Sequence, residues 1–387
     1  MGRRGTDRGG RSSDIQVIAA ILVCCGAVYN LLAIAGALRF RRRVQTTDYQ
    51  PAVSILKPVR GRDPEFYDAI LSHAVQDYPE FELLFGVADP EDAAVADIRR
   101  LQEEFPDVPI RIINTANDAP NGKVGSLEIL AREAKHPVLL VNDGDIHVWQ
   151  NYLARTISLL KDPEVGLITG LYSALGRSPA TEAEALGIVT EFVPSVLVAR
   201  LLSSSGFALG ATMAFRKTDL AAIGGFDAIR NYLADDYQLG ARIAALGKRI
   251  AMCNSVVVTN LGAGSWRDVW KHQVRWSRTI RVSRPAGYLG YLVTQATFWC
   301  VIAAALGYWK IALAGEAIRI LAALAAMWAT GNGRLHRLAA VPLRDLFGFA
   351  VWCGGLMGNT VEWRGLRFNL HRDGTISACK PRSQSQP

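Results

Sequence analysis

Acidic residues stand in this sequence where an extended chain would aim them into one space. In Val141-Asn142-Asp143-Gly144-Asp145 an apolar run ends on two carboxylates two positions apart. Side chains at i and i+2 of an extended segment face the same way, so Asp143 and Asp145 can serve one ligand, and Gly144 lets that ligand approach the backbone. Hard carboxylate oxygens suit Mg2+ or Mn2+, and Mg2+ typically takes one or two carboxylates plus phosphate oxygens. Taken alone, the same residues also suit a polar turn that caps a following helix.

Further along, Leu233-Ala234-Asp235-Asp236-Tyr237 opens an apolar-periodic stretch with two adjacent acids. Capping accounts for one of them, while two acids between apolar residues raise each other's pKa, as a general base for a hydroxyl proton requires. Asp89-Pro90 follows an apolar run and also reads as turn chemistry. Lys123, in Asn121-Gly122-Lys123, opens a helical stretch whose backbone N–H groups and dipole favour an anion. His272-Gln273-Val274-Arg275-Trp276 puts His272 and Trp276 one helical turn apart, with Arg275 able to grip a phosphate and the indole able to wall an apolar ligand. Neither GxxxxGK[ST] nor GxGxxG occurs, so P-loop and dinucleotide-binding folds are unsupported.

The elements that must position these residues follow an alternating rhythm. Ala52–Leu56, Phe81–Ala88, Ile110–Ile113, Val138–Val141 and Val165–Thr169 read as strands. Helical stretches at Pro64–Gln76, Ala93–Glu104, Val124–Ala134 and Tyr152–Lys161 separate them. The pattern predicts an α/β domain with a mainly parallel sheet covered on both faces. Ligands of such sheets lie beyond the carboxyl ends of the strands, where Asp89, Asp143 and Asp145 fall.

At the chain's two ends the apolar content rises. No residue from Ile15 to Leu38 is charged, and a helix of that length reaches roughly 36 Å, enough to span a hydrocarbon core. Ala33 and Ala35 resemble a signal-cleavage site, but the run is too long and Arg41, Arg42 and Arg43 act as a stop. Arginines flank the helix on both sides; the tighter cluster after it favours a cytoplasmic middle domain. Gly287–Tyr308, Ile311–Ala329 and Leu346–Thr360 read as further membrane segments, with Glu316 and Arg319 spaced to pair. Before them, Ser265–Arg284 mixes indoles with basic residues, as a helix lying in the membrane interface does.

Composition agrees. Of 387 residues, 50% are apolar and 20% charged, which excludes a disordered chain, and the net charge of +8 collects beside the hydrophobic segments. Anionic lipid, and not nucleic acid, is the expected partner of that charge. Six cysteines without a CxxC pair imply neither a zinc site nor a disulfide framework.

Taken in order, Ser54-Ile55-Leu56-Lys57-Pro58-Val59-Arg60-Gly61, Gln76-Asp77-Tyr78-Pro79, Asp89, Asp143, Asp236 and His272–Trp276 resemble the ceramide glucosyltransferase family, with its three aspartate motifs and (Q/R)xxRW. The resemblance implies a GT-A fold, a UDP-sugar donor (usually UDP-glucose), a lipid acceptor and inversion at the anomeric carbon. It further implies that Asp89, Lys123 and Asp143 bind the nucleotide-sugar, and that Asp145 and Asp143 hold the metal. His272, Arg275 and Trp276 then serve the diphosphate and acceptor, and Asp236 is the base. His272 departs from the family's Gln or Arg. Pro194–Arg200, Arg278–Arg281 and Arg284–Gly287 are similar to bacterial hopanoid-associated glycosyltransferases, so hopanoid and N-acetylglucosamine stay open beside ceramide and glucose. A processive polysaccharide synthase and a non-catalytic membrane scaffold are the other readings.

The expected organisation is a disordered basic tail (1–14), a spanning helix (15–38), a GT-A catalytic domain (49–264) and an interfacial helix (265–285). About three membrane-embedded segments (286–360) and a C-terminal tail (361–387) complete it.

Overall fold

The structure, a computed structural model, describes residues 7–42, 48–202, 206–332, 334–363 and 365–379. Its centre is an eight-stranded sheet in the order β3-β2-β1-β4-β7-β6-β8-β5. The strands are β1 (Val53–Val59), β2 (Phe81–Val87), β3 (Ile110–Asn114), β4 (Val138–Val141), β5 (Ile146–His147), β6 (Val165–Gly176), β7 (Met213–Arg216) and β8 (Arg249–Gly262). Strands β1 to β4 pair in parallel, as do β6 and β8. Strand β7 runs antiparallel between β4 and β6, and β5 runs antiparallel on β8. The mainly parallel sheet is present, with antiparallel strands β5 and β7 that the five-strand rhythm did not announce.

Alternation within the strands divides the core. Ile55, Leu83, Phe85 and Leu140 pack with Phe66, Ile70, Ile98 and Leu101 of helices α2 (Phe66–Ala74) and α3 (Ala94–Glu104). Leu56, Leu84, Leu139 and Val141 turn the other way, onto Val124, Leu127 and Leu130 of α4 (Gly122–Glu133), while Leu239 and Ile243 join the same cluster further along. Each fully buried side chain of this kind contributes about 1.5–3 kcal/mol, which is why both faces of β1 and β2 tolerate so few polar residues. Helix α5 (Tyr152–Ile157) follows β5.

Between β6 and β7 the chain departs in a continuous helical stretch: α6 (Pro179–Gly187), a π-helical turn (Ile188–Phe192) and α7 (Val193–Leu201). Val193, Val196 and Leu197 pack with Ala37 and Phe40 of the N-terminal helix α1 (Asp7–Arg42), and with Ala326 and Ala329 further along the chain. After α8 (Lys217–Ala222) and α9 (Asp235–Ala245), strand β8 leads into α10 (Trp266–Ser283), whose start is fixed by a capping box between Ser265 and Asp268.

Among the described residues three helices are long and apolar enough to cross a membrane: Asp14–Arg41, Trp309–Thr330 and Leu335–Leu356. The first lies within α1, the second is α13 (Trp309–Thr330) and the third includes α14 (Val341–Leu356). The segment expected at Gly287–Tyr308 is instead broken: α11 (Pro285–Gly290) with a 3-10 turn, then α12 (Ala296–Ala305), bent by 45°. Arg319 does not pair with Glu316. It reaches Asp345 of α14 through Nε at 2.8 Å and Nη2 at 2.6 Å, because a second helix offers the bidentate geometry that one helical turn does not.

The last segment also differs from expectation. Helix α14 ends at Leu356, and β9 (Thr360–Trp363), β10 (Leu366–Leu370) and β11 (Ile376–Ala378) form an antiparallel sheet where a tail was expected. Val361, Phe368, Leu370 and Ile376 enclose Leu233, and Ile376 N–H donates to Asn231 O at 2.8 Å. Of the basic head, residues 1–6 lie outside the described residues and Asp7 already begins α1; the Ser/Gln-rich end from 380 onward lies outside them too.

Candidate active site

Strand β4 delivers Asn142-Asp143-Gly144-Asp145 to the carboxyl edge of the sheet, and Asn142 pins the turn. Its amide donates to Ala211 O at 2.6 Å and Tyr152 Oη at 3.0 Å, while its carbonyl oxygen lies 3.3 Å from His73 Nε2. Below the turn is Lys57, fully buried in β1, which donates to Asp143 O at 3.1 Å. Burial pushes the Lys57 pKa down to about 7, against the pull of Asp145 and Asp143. The His73 imidazole, 3.4 Å from Lys57 Nζ, is held well below its ordinary value by burial and by that lysine.

Asp143 and Asp145 lie in a turn, not on extended chain, and are near enough for Asp143 to act on the Asp145 carboxyl. Thr259 of β8 donates to Asp145, whose carboxyl is raised by burial, then by Asp143, with Asp63 adding to the effect. Asp143 Oδ1 instead lies 2.7 Å from Lys123 Nζ, and the same ammonium is 3.4 Å from Asp235 Oδ2. Lys123 owes its place to Asn121, whose Oδ1 accepts from Lys123 N and Val124 N at the start of α4. Burial works against its charge, but Asp143 and Asp235 outweigh burial and hold it above the ordinary lysine value.

Asp236 begins α9 beside this cluster. Its Oδ2 accepts from Gly210 N at 2.8 Å and its Oδ1 from Tyr237 N at 2.7 Å. Burial and then Asp235 push its pKa up to about 6, against Lys123 and the two N–H groups. Gly210 marks the convergence: a Cβ there would lie 3.4 Å from Asp236 Oδ2 and 3.8 Å from Asp143 Oδ2. Two carboxylates far apart in sequence thus share one approach.

The other wall is aromatic. On α10, His272 and Trp276 pack with ring centroids 4.6 Å apart and planes tilted by 56°; Trp276 meets Phe192 at 6.5 Å, and Phe192 meets Tyr172 at 5.3 Å. The Tyr172 phenol is raised well above its usual value by burial, then by Asp236, Glu184, Asp143 and Asp145. His272 Nδ1 lies 2.6 Å from Glu184 Oε1, a carboxylate buried on α6. Arg275 is half-buried on the same helix.

Lys123, Asp143, Asp145 and Asp236 are therefore gathered together, and His272 and Trp276 connect through Phe192 to Tyr172, which feels the charge of these acids. Asp89 is exposed beyond β2, and its Oδ1 accepts from Glu91 N at 3.0 Å in a local turn. Sequence reasoning did not assign roles to Lys57, Tyr172, Glu184 and Phe192. Only Lys57 left a signal, a lysine inside the apolar strand Val53–Val59.

Donor chemistry in the turn fits a hard divalent ion. Asp143 and Asp145 supply oxygens only, and burial together with carboxylate crowding leaves the Asp145 site short of positive charge. Among the described residues no group of three or more His, Cys, Asp or Glu is set to enclose a metal, so further ligands would come from a substrate or water.

The mixed sheet, with acids at the carboxyl ends of its strands, is a GT-A-like fold, and it is joined to helices long and apolar enough to cross a membrane. The chain belongs to glycosyl transferase family 21, whose model matches residues 17–376, and this places it among the hexosyltransferases. It is similar to ceramide glucosyltransferase 3 of Caenorhabditis elegans, 24% identical over 280 residues, covering 70% of this chain and 61% of that protein. It is 29% identical over 188 residues to a ceramide glucosyltransferase of Gibberella zeae, covering 43% of this chain and 36% of the relative. A probable glycosyltransferase of Bacillus subtilis, YdaM, is 22% identical over 284 residues, covering 67% and 64%. The chain thus spans less than two thirds of these relatives' own lengths. Among solved structures, the mannosyltransferase PcManGT from Pyrobaculum calidifontis, in complex with GDP-Man and Mn2+, shares the fold. Its TM-score is 0.53 at 19% identity, covering 88% of this chain and 99% of that one.

Proposed function

We propose that this protein transfers a single glucosyl unit from UDP-glucose to the primary hydroxyl of ceramide, with inversion, at the cytoplasmic surface of a membrane. The observation that carries the reading is the position of Asp236. It is a carboxylate with a pKa near neutrality, held by two backbone N–H groups, between a lysine-acid cluster and an aromatic wall that adjoins the membrane helices.

On this reading Asp236 accepts the proton of the lipid hydroxyl as that oxygen attacks the anomeric carbon, and the bond from that carbon to the diphosphate breaks on the opposite face. Lys123 turns its charge to the donor's diphosphate, with Asp89 at the nucleotide end. Arg275 adds a second cation toward the departing diphosphate, where negative charge grows in the transition state. Asp143 and Asp145 would hold Mg2+ or Mn2+, which neutralises phosphate charge when bound. Trp276 and His272 orient the acceptor, and Lys57 fixes the Asp143 turn through its carbonyl. The arginines closing α1, Arg39 and Arg41, favour the cytoplasmic placement of the sheet.

Vesicles containing the protein, labelled UDP-glucose and ceramide test the reading directly. A single labelled product that runs with glucosylceramide supports it. Label on a hopanoid, label from UDP-N-acetylglucosamine alone, or a growing polymer would each replace it.

A further inference from the structure

Arg344, on the membrane-length helix α14, is 5% exposed and makes three polar contacts. Nη2 donates to Gln273 Oε1 at 2.8 Å, Nε donates to Ala183 O at 3.0 Å, and Nη1 pairs with Glu191 Oε2 at 3.1 Å. Each contact is one position from a residue of the aromatic wall. Gln273 adjoins His272, Ala183 adjoins Glu184, the carboxylate on His272, and Glu191 adjoins Phe192, which packs on Trp276 and Tyr172.

The slot for this guanidinium is built from glycines. A Cβ on Gly187 would lie 2.1 Å from Arg344 Nη2, and one on Gly348 would lie 2.7 Å from Glu191 Oε2 and 2.9 Å from Arg344 Nη1. Glu191 sits in the π-helical turn and reaches Arg344 and Tyr291, while the next residue, Phe192, packs on Tyr172 and Trp276. Next along α14, Asp345 binds Arg319 of α13 and Thr297 of α12. Two consecutive residues therefore tie the membrane helices together and, through them, three elements of the cleft. A buried ionisable group in a membrane helix, with named partners, is by default a functional candidate.

We propose that Arg344 is a positioning residue for the acceptor side of the active site. By holding Gln273, Ala183 and Glu191 at once, it sets His272, Trp276 and Phe192 against the catalytic acids; this rests on the reading of that wall as the acceptor side. Lysine keeps the charge but lacks the planar fork that serves three acceptors.

The test uses full-length protein in vesicles with UDP-glucose and short-chain ceramide, comparing wild type with Arg344→Lys, Arg344→Met and Gly187→Ala. The expected result is an acceptor KM raised about tenfold or more in each, with UDP affinity by calorimetry within about twofold of wild type. An unchanged acceptor KM, or UDP affinity falling in step with it, overturns the inference. A second measurement does not depend on the acceptor's identity. In histidine-labelled protein, the His272 imidazole resonance, assigned by its loss in His272→Gln, moves in Arg344→Met and Gly187→Ala. If it stays in place the inference fails, whereas a wild-type protein that glucosylates no ceramide sinks only the proposed function.

Discussion

The ammonium of Lys123 lies 2.7 Å from Asp143, and the two come from different elements, one in the first turn of α4 and the other leaving β4. The same lysine is 3.4 Å from the buried Asp235. Removing it strips a cation from the donor side and leaves that acid without its ion-pair partner. Lys123→Gln is expected to lower kcat/KM for UDP-glucose by about 100-fold, with most of the loss in donor binding, measured by initial rates across donor concentrations.

Asp236 and Asp235 are adjacent but differently employed. Asp236→Asn is expected to reduce turnover by about 100-fold or more while UDP affinity changes by less than about threefold. Asp235→Asn should impair donor binding instead, through Lys123. Equal losses in both parameters for both variants would remove the distinction.

The raised pKa of Asp236 has a sign that can be read twice. Turnover should fall as the pH drops through about 6, because the protonated acid cannot accept the hydroxyl proton. For stability, the folded state holds a proton on Asp236 between the ordinary value of 3.8 and about 6, where the unfolded chain has lost it. This contribution is present below the lower value and is lost as the pH rises through the upper one. The melting temperature of Asp236→Asn should therefore gain on wild type between pH 4 and pH 7.

Metal dependence is expected to follow Asp143 and Asp145. Chelation by EDTA should abolish transfer and Mn2+ or Mg2+ should restore it. Asp145→Asn should raise the metal concentration for half-maximal rate by about tenfold or more, measured by titration of the chelated protein.

Breaking the Arg319–Asp345 pair from one side leaves a buried charge uncompensated. Arg319→Met is expected to lower unfolding stability by about 3–5 kcal/mol, and Arg319→Met with Asp345→Leu should recover much of it. Thermal unfolding of both in one detergent decides the point.

Where the chain is buried on both faces, its sequence announces its structure. The apolar runs of β1 to β4 and the acids at their ends were legible for that reason, and the membrane-length helices were legible from length and apolarity. Strand β7 has four residues, and β8 mixes Cys253, Asn254 and Ser255 into its centre, so neither shows a clean period. Long-range partners left still less trace. Glu184 and His272 are 88 residues apart, and nothing local to either predicts their contact. The buried state of Lys57 likewise depends on α2 and the Asp143 turn closing over it. Strands β9 to β11 are too short and polar to be told from a tail without Leu233 to pack upon.

That small terminal sheet bears on how the enzyme comes into being. Ile376 and Thr375 secure Asn231 and Tyr232, just ahead of the α9 acids, and Tyr232 O in turn accepts from Asn121, the residue that seats Lys123. A ribosome must release residue 376 before the loop ahead of the α9 acids can be fastened. A nascent chain halted short of that residue would carry those acids on an unsecured loop.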